Sequence, residues 1–252
     1  MSRLRGRRAL TDRDRGTTLT EMLVVMIVMG IVVAATATLT IGMTRTTAQN
    51  TARQDQIDIA RTSVERISKT VRTAVKPSQL LTSCSESCLS ASAFLNGTTT
   101  SMQFYANLDN PGNRVGPSRI TYSVAADGAD AGVLVERIQR PDTSTPGVNG
   151  YTYCNAEAAG ATSTCRQNLT VRRHATGVGT ARLFSYYRAD GQRLVPAGDG
   201  RLSVADLKRV TAVEIQLTVS RTGAYAPKPT TYIQRITLPN AQAVVQAGED
   251  TP

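Results

Sequence analysis

Between Met22 and Thr44 the chain carries no charged side chain, a run of 23 residues with LVVMIVMGIVVAATATLTIGM at its heart. As a helix it would be about 35 Å long, at roughly 1.5 Å per residue. That is enough to cross a hydrocarbon core of about 30 Å. In lipid, a single segment can satisfy its backbone polar groups only by forming a helix, so this run fixes its own secondary structure. No other stretch is long and apolar enough to cross a bilayer. Residues 1–16 hold six Arg and two Asp, a net charge of +4. Arginines before a membrane helix stay in the cytoplasm, which places everything after Thr44 outside.

Three readings of this segment compete. The first is a plain anchor for an external domain. The second is a secretory signal cleaved after Ala37, since Ala35-Thr36-Ala37 is a small-x-small site. The apolar run continues past that site to Met43, however, and is long for a signal sequence. The third reading attends to Glu21. A carboxylate one residue before a membrane helix is costly without a partner, and neither tethering nor secretion needs it.

Arg15-Gly16-Thr17-Thr18-Leu19-Thr20-Glu21-Met22-Leu23 followed by VVMIVMGIVVA resembles the processing site and N-terminal helix of type IV pilin-like proteins. The resemblance implies cleavage by a prepilin peptidase between Gly16 and Thr17, with methylation of the new Thr17 amino group. It makes residues 1–16 a leader and Glu21 the fifth residue of the mature chain. Thr17 and Glu21 lie four residues apart, on one helical face. In a filament, the Glu21 carboxylate of one subunit would meet the Thr17 ammonium of a neighbour. Two departures from the family pattern stand out. Thr17 replaces the usual Phe, and residues 22–44 contain no proline, which favours a minor subunit over a main building block.

After Arg45 the pattern stays helical. Ile57, Ala60, Val64, Ile67, Val71 and Ala74 recur at spacings of three and four, one narrow apolar stripe. Arg61, Glu65 and Lys69 add opposite charges at i,i+4. Pro77 ends the pattern. One long helix over about 18–75 is expected: a membrane half at 17–44 and an amphipathic half at 45–76 that packs on a domain. The alternative is an independent coiled coil, which the short stripe disfavours.

The remainder, 77–240, reads as a β-rich head. Candidate strands lie at 101–106, 118–125, 132–139, 150–154, 182–188, 211–220 and 230–238, rich in Val, Ile, Tyr and Thr. Asn110-Pro111-Gly112, Asp127-Gly128, Asp190-Gly191 and Thr222-Gly223 mark turns. Ser203 with Asp206 opens a short helix. A flexible tail is expected over 241–252. The fold class is therefore α+β. Phe184-Ser-Tyr-Tyr-Arg-Ala-Asp-Gly191, the helix at 206–210, the strand at 213–220 and Ile236-Thr-Leu-Pro-Asn240 resemble, in order of elements, the C-terminal half of J-type minor pseudopilins.

All four cysteines follow the apolar run. An even number in an external domain suggests disulfides. Of three connectivities, Cys84–Cys88 with Cys154–Cys165 is favoured, since it closes two local loops. Metal binding fits these spacings poorly. His174, the one histidine, is expected on an exposed loop beside Arg172 and Arg173. Gly177-Val-Gly179 lacks a following helix and carries little weight. Asn107-Leu-Asp109-Asn-Pro-Gly112 faintly resembles a calcium loop, but a turn is the better reading. No phosphate-binding loop is present, so a motor ATPase is excluded as the chain's own activity.

The reading is a non-enzymatic minor pilin or pseudopilin with no cofactor and no metal. Its partners would be the peptidase, other pilin subunits and inner-membrane assembly machinery. The alternatives are a membrane-anchored DNA-binding or adhesive module, or a secreted domain. The net charge of +10 invites a nucleic-acid reading. Without the leader only +6 remains, 23 Lys and Arg against 17 Asp and Glu. DNA contact is compatible with that charge but unsupported by it.

Overall fold

The computed structural model describes residues 17–80, 90–148, 150–223 and 226–242. The chain divides into two units, 1–48 and 49–252, and helix α1 (Leu19–Val71) has its first part in one and its second in the other.

In the first unit, residues 17–48 are all exposed. The apolar window of α1 has a mean hydropathy of 2.6 and none of it is buried, as suits a helix that meets lipid rather than a protein core. Its threonines return their hydroxyls to the helix. Thr36 Oγ1 donates to the Val32 carbonyl at 3.0 Å, Thr38 to Ala35 at 2.8 Å, Thr40 to Thr36 at 2.8 Å and Thr44 to Thr40 at 2.8 Å. Each polar side chain is thereby satisfied without water.

The second unit holds the end of α1 and two antiparallel sheets. Ala60, Val64, Ile67, Val71 and Ala74 are fully buried or nearly so, as their spacing predicts, whereas Ile57 stays 40% exposed. Arg61 and Glu65 pair at 2.8 Å on the outer side. The α-helix stops at Val71, short of the expected 75. Ala74 then bridges Ala106, and Pro77 begins a 3-10 turn (Pro77–Gln79).

The larger sheet is a meander of β1 (Phe94–Gly97), β2 (Ser101–Ala106), β3 (Ser118–Val124), β4 (Leu134–Gln139) and β5 (Leu169–Ala175). The smaller sheet has the order β7-β6-β8-β9, with β6 Phe184–Tyr187, β7 Arg193–Leu194, β8 Ala212–Val219 and β9 Thr230–Thr237. Period-2 alternation sends Met102, Phe104, Ile120, Tyr122, Val213, Ile215 and Leu217 into one core shared with α1. Phe94 and Phe104 pack at 5.6 Å between centroids, and Tyr186 meets Phe94 edge-on at 6.4 Å. The Tyr186 hydroxyl donates to the carbonyls of Thr98 (3.0 Å) and Ser101 (3.1 Å), which ties the smaller sheet to the β1–β2 turn.

Two polar ties fix α1 on the sheets. Ser68 Oγ donates to Gln234 Oε1 at 3.0 Å. The Gln56 amide is fully buried. In the orientation that satisfies both its ends, it accepts from Arg221 N at 3.1 Å and donates to Lys228 O at 3.2 Å and Thr230 Oγ1 at 3.1 Å.

Several expectations need correction. Residues 150–154 form no strand; Gly150 bridges Gly147, Asp142 N donates to Thr152 O at 2.9 Å, and side chains hold the rest. The Asp142 carboxylate accepts from Cys154 N at 3.0 Å, and Tyr153 Oη donates to Pro117 O at 2.6 Å. Strands β1, β5 and β7 were not anticipated. β5 carries Arg172, Arg173 and His174 at a sheet edge, where little burial is needed and the alternation is lost. A short helix α2 (Ser163–Gln167), capped by Thr162, precedes it. The capped helix at Ser203 forms as expected, as α3 (Val204–Leu207), with Ser203 Oγ accepting from Asp206 N at 3.1 Å.

Candidate functional site

The residues expected to direct processing and assembly, Gly16, Thr17 and Glu21, fall at and just before the start of α1. Gly16 falls outside the described residues; Thr17 and Thr18 directly precede the helix. Thr18 caps it. Its Oγ1 accepts from Glu21 N at 3.3 Å, and its carbonyl accepts from Glu21 N at 3.0 Å and Met22 N at 3.2 Å. A threonine followed three residues later by Glu is a helix-start pattern. Glu21 also lies in the first turn, where the partial positive charge of the helix end favours an anion. Glu21 thus has a local role that the membrane argument missed, and the Thr18-x-x-Glu21 spacing was the available signal. Both Thr17 and Glu21 are exposed, accessible to a neighbouring chain.

The cysteines divide by position. Cys84 and Cys88 lie outside the described residues. Cys154 and Cys165 form a disulfide with Cα atoms 6.0 Å apart, closing the loop that leads into α2. The calcium-like segment is a turn. Pro111–Asn113 is a 3-10 element with Gly112 at φ 62°, and Asn110 Oδ1 accepts from Val115 N (2.8 Å) and Gly116 N (3.1 Å). Its asparagine oxygens therefore serve the turn.

His174 is not on an exposed loop. It lies on β5 with its side chain 6% exposed. Its Nε2 donates to Glu136 Oε2 at 3.1 Å, and Tyr122 Oη donates to Glu136 Oε1. Arg172 stands 3.5 Å from the same carboxylate. Ser63 of α1 donates to the His174 carbonyl at 3.3 Å. Glu136 and Tyr122 went unnoticed in the sequence. Their signal was a charged residue at an inward position of Leu134-Val135-Glu136-Arg137-Ile138, facing the inward Tyr122 across the ladder.

Burial pushes the Glu136 carboxyl up. The hydrogen bonds from His174 and Tyr122, with the charges of His174 and Arg172, outweigh it and hold the carboxyl below its ordinary value of 4.5. Burial, then the Glu136 charge, pushes the Tyr122 phenol up. A lowered folded-state pKa stabilises the head above the unfolded value. That stability disappears as pH falls through the folded value. Glu136→Gln should cost about 2 kcal/mol at neutral pH, by weakening charge-assisted bonds. It should also flatten the loss of stability as the pH falls below the ordinary carboxyl value of 4.5. Melting curves of wild type and variant across that range check both.

The sequence matches the family described as the prokaryotic N-terminal methylation motif over residues 11–37. No curated protein and no solved structure matches the chain. The matched span contains Gly16, Thr17 and Glu21 and ends within the apolar helix, and an apolar N-terminal helix behind this motif suggests membrane anchoring.

Proposed function

We propose that this type IV pilin-like protein is a minor subunit of a type IV filament, either a pilus or a pseudopilus. One observation carries the reading: the methylation motif lies in register with a Thr18-capped helix start, Glu21 in its first turn and the uncharged run behind it. Prepilin peptidase removes residues 1–16 on the cytoplasmic side and frees the Thr17 amino group. The subunit waits in the cytoplasmic membrane with its head outside. It then enters a filament by packing α1 among the helices of other subunits, taken up by the inner-membrane assembly machinery. The chemistry is that of a structural subunit, not an enzyme.

In the apolar filament core an unpaired carboxylate is costly and a paired one is directional. Glu21 of the incoming subunit therefore selects the register in which it meets a neighbour's Thr17 ammonium. The resemblance of the head's C-terminal half to J-type pseudopilins and the absence of proline from residues 22–44 support a minor position.

The test is the N-terminal residue of the mature chain, read by mass spectrometry of the membrane fraction. Thr17 is expected. A chain starting after residue 37 would establish secretion, and an intact leader a simple anchor. In addition, Glu21→Ala should leave the subunit in the membrane fraction, since the apolar run is unchanged. Its incorporation into sheared filaments should fall at least tenfold, and normal co-assembly would remove the role given to Glu21.

A further inference from the structure

The outer face of the larger sheet carries a polar cleft that the filament reading does not use. The ladder register places Gln103, Thr121 and Arg137 in one cross-strand row, and Tyr105, Arg119 and Gln139 in the next. The loop around Cys154 to Glu157 overhangs these rows and encloses a cleft of about 400 Å³, in the size range of small-molecule sites.

Arg137 shows what the cleft can hold. It donates to the Glu157 carboxylate at 2.8 Å and to the Ser123 hydroxyl at 3.1 Å. Arg119 lies diagonally across the ladder from it, within about 8 Å. Its guanidinium lies over the Tyr153 ring, 4.8 Å from the centroid, and the Tyr153 hydroxyl is itself anchored on Pro117 O. Stacking leaves the guanidinium edge, a planar fork suited to a carboxylate. Arg119 has no carboxylate partner among the described residues, whereas the charge of Arg137 is met by Glu157. The cleft therefore offers one unneutralised, pre-oriented guanidinium beside a floor of hydroxyls and amides: Ser101, Gln103, Thr121 and Gln139.

We propose that this cleft binds an acidic sugar, a hexuronate-type pyranose whose carboxylate is taken by Arg119 and whose hydroxyls are taken by Thr121, Gln103 and Gln139. A ligand with one carboxylate and several hydroxyls matches the cleft group for group. An acidic peptide matches less well. The floor is made by β2, β3 and β4, all paired on both sides, so no free strand edge is offered to a peptide backbone. A nucleic acid would need an open aromatic platform, and the Tyr153 ring is covered by Arg119 and leans on Tyr105 at 5.9 Å. The inference does not depend on the filament reading.

The experiment is a saturation-transfer NMR titration of the full chain in detergent micelles with sodium glucuronate. Glucose, acetate and a short glutamate peptide serve as comparators. Saturable binding of glucuronate in the millimolar range is expected, at least tenfold tighter than glucose or acetate. Arg119→Gln should weaken it at least tenfold with an unchanged melting temperature. Arg119→Lys should restore part of it, because charge survives without the planar fork. Thr121→Val should weaken it several-fold and serves as an independent check on the floor. Acetate binding as well as glucuronate, glucose binding equally, preference for the peptide, or an Arg119→Gln chain that binds normally would each overturn the proposal.

Discussion

Gly177→Ala should destabilise the head by about 4 kcal/mol, and the full chain in detergent should melt on the order of 10 °C lower. The backbone at Gly177 has φ +69°, a left-handed conformation that costs an L-residue about 1 kcal/mol. The larger effect is contact. A methyl group there would lie 2.1 Å from the backbone carbonyl oxygen of Ser220, an atom that cannot rotate aside. That approach is close because the two sheets join at this point. The Gly177 carbonyl accepts from Ser220 N at 2.8 Å, Gly179 N donates to Thr218 O at 3.0 Å and Val178 bridges Val219 at the end of β8. On the other side Val178 N donates to Gly132 O at 2.9 Å, just before β4. Moving the chain by the ångström or so that a methyl demands would break one of these sets. Gly177→Ala with an unchanged melting temperature would show that the joint yields freely.

The same residue shows where sequence reading stops. Gly177-Val-Gly179 looked inert because no helix follows it, yet its role is tertiary: a close approach to a strand some 40 residues later in the chain. The long apolar helix was legible as an uncharged run, and the amphipathic stripe and strands β2, β3, β4, β6, β8 and β9 because each is written in a local period of 3.6 or 2. The edge strand β5 was not, since an edge buries too little to enforce alternation. For that reason His174 was placed on a loop. Residues 150–154 misled in the opposite direction. Tyr151 and Tyr153 alternate as in a strand, but Tyr151 is buried against Gly116 and Tyr153 half-buried against Tyr105, not in a ladder. At the N-terminus, the methylation motif was legible because it is a short linear segment, complete within residues 11–37. The Arg119 cleft was not, because its parts come from three strands and a disulfide-closed loop.

Glu136 joins these two kinds of information. Its charge stands at an inward strand position, which local pattern rules treat as an error. It is stable there only because His174, Tyr122 and Arg172 converge from the two neighbouring strands. A lone sequence shows the buried charge and hides the partners.

Gly16→Val should abolish processing, leaving a precursor heavier by the mass of residues 1–16 and reducing filament incorporation to background. Val places a β-branched side chain beside the scissile bond, where the family pattern has the smallest residue. Failure of the cut has two physical consequences beyond the missed cleavage. On the proposed topology the uncut leader's net +4 stays on the cytoplasmic side and opposes withdrawal of the helix from the membrane. Residue 17 also stays an amide, so no ammonium forms to meet a neighbour's Glu21. A carboxylate left unpaired in a low-dielectric core is disfavoured by about 3–5 kcal/mol, a population change of about two to nearly four orders of magnitude. Either consequence suffices to exclude the subunit, and the variants separate them. Glu21→Ala loses the pair but still matures, whereas Gly16→Val loses both maturation and the pair. Immunoblots of membranes and sheared filaments read the difference: mature mass in membranes alone for Glu21→Ala, precursor mass in membranes alone for Gly16→Val. A Gly16→Val chain of mature mass would move the cleavage site elsewhere, and a full-length precursor found in filaments would show that the ammonium is not what Glu21 seeks.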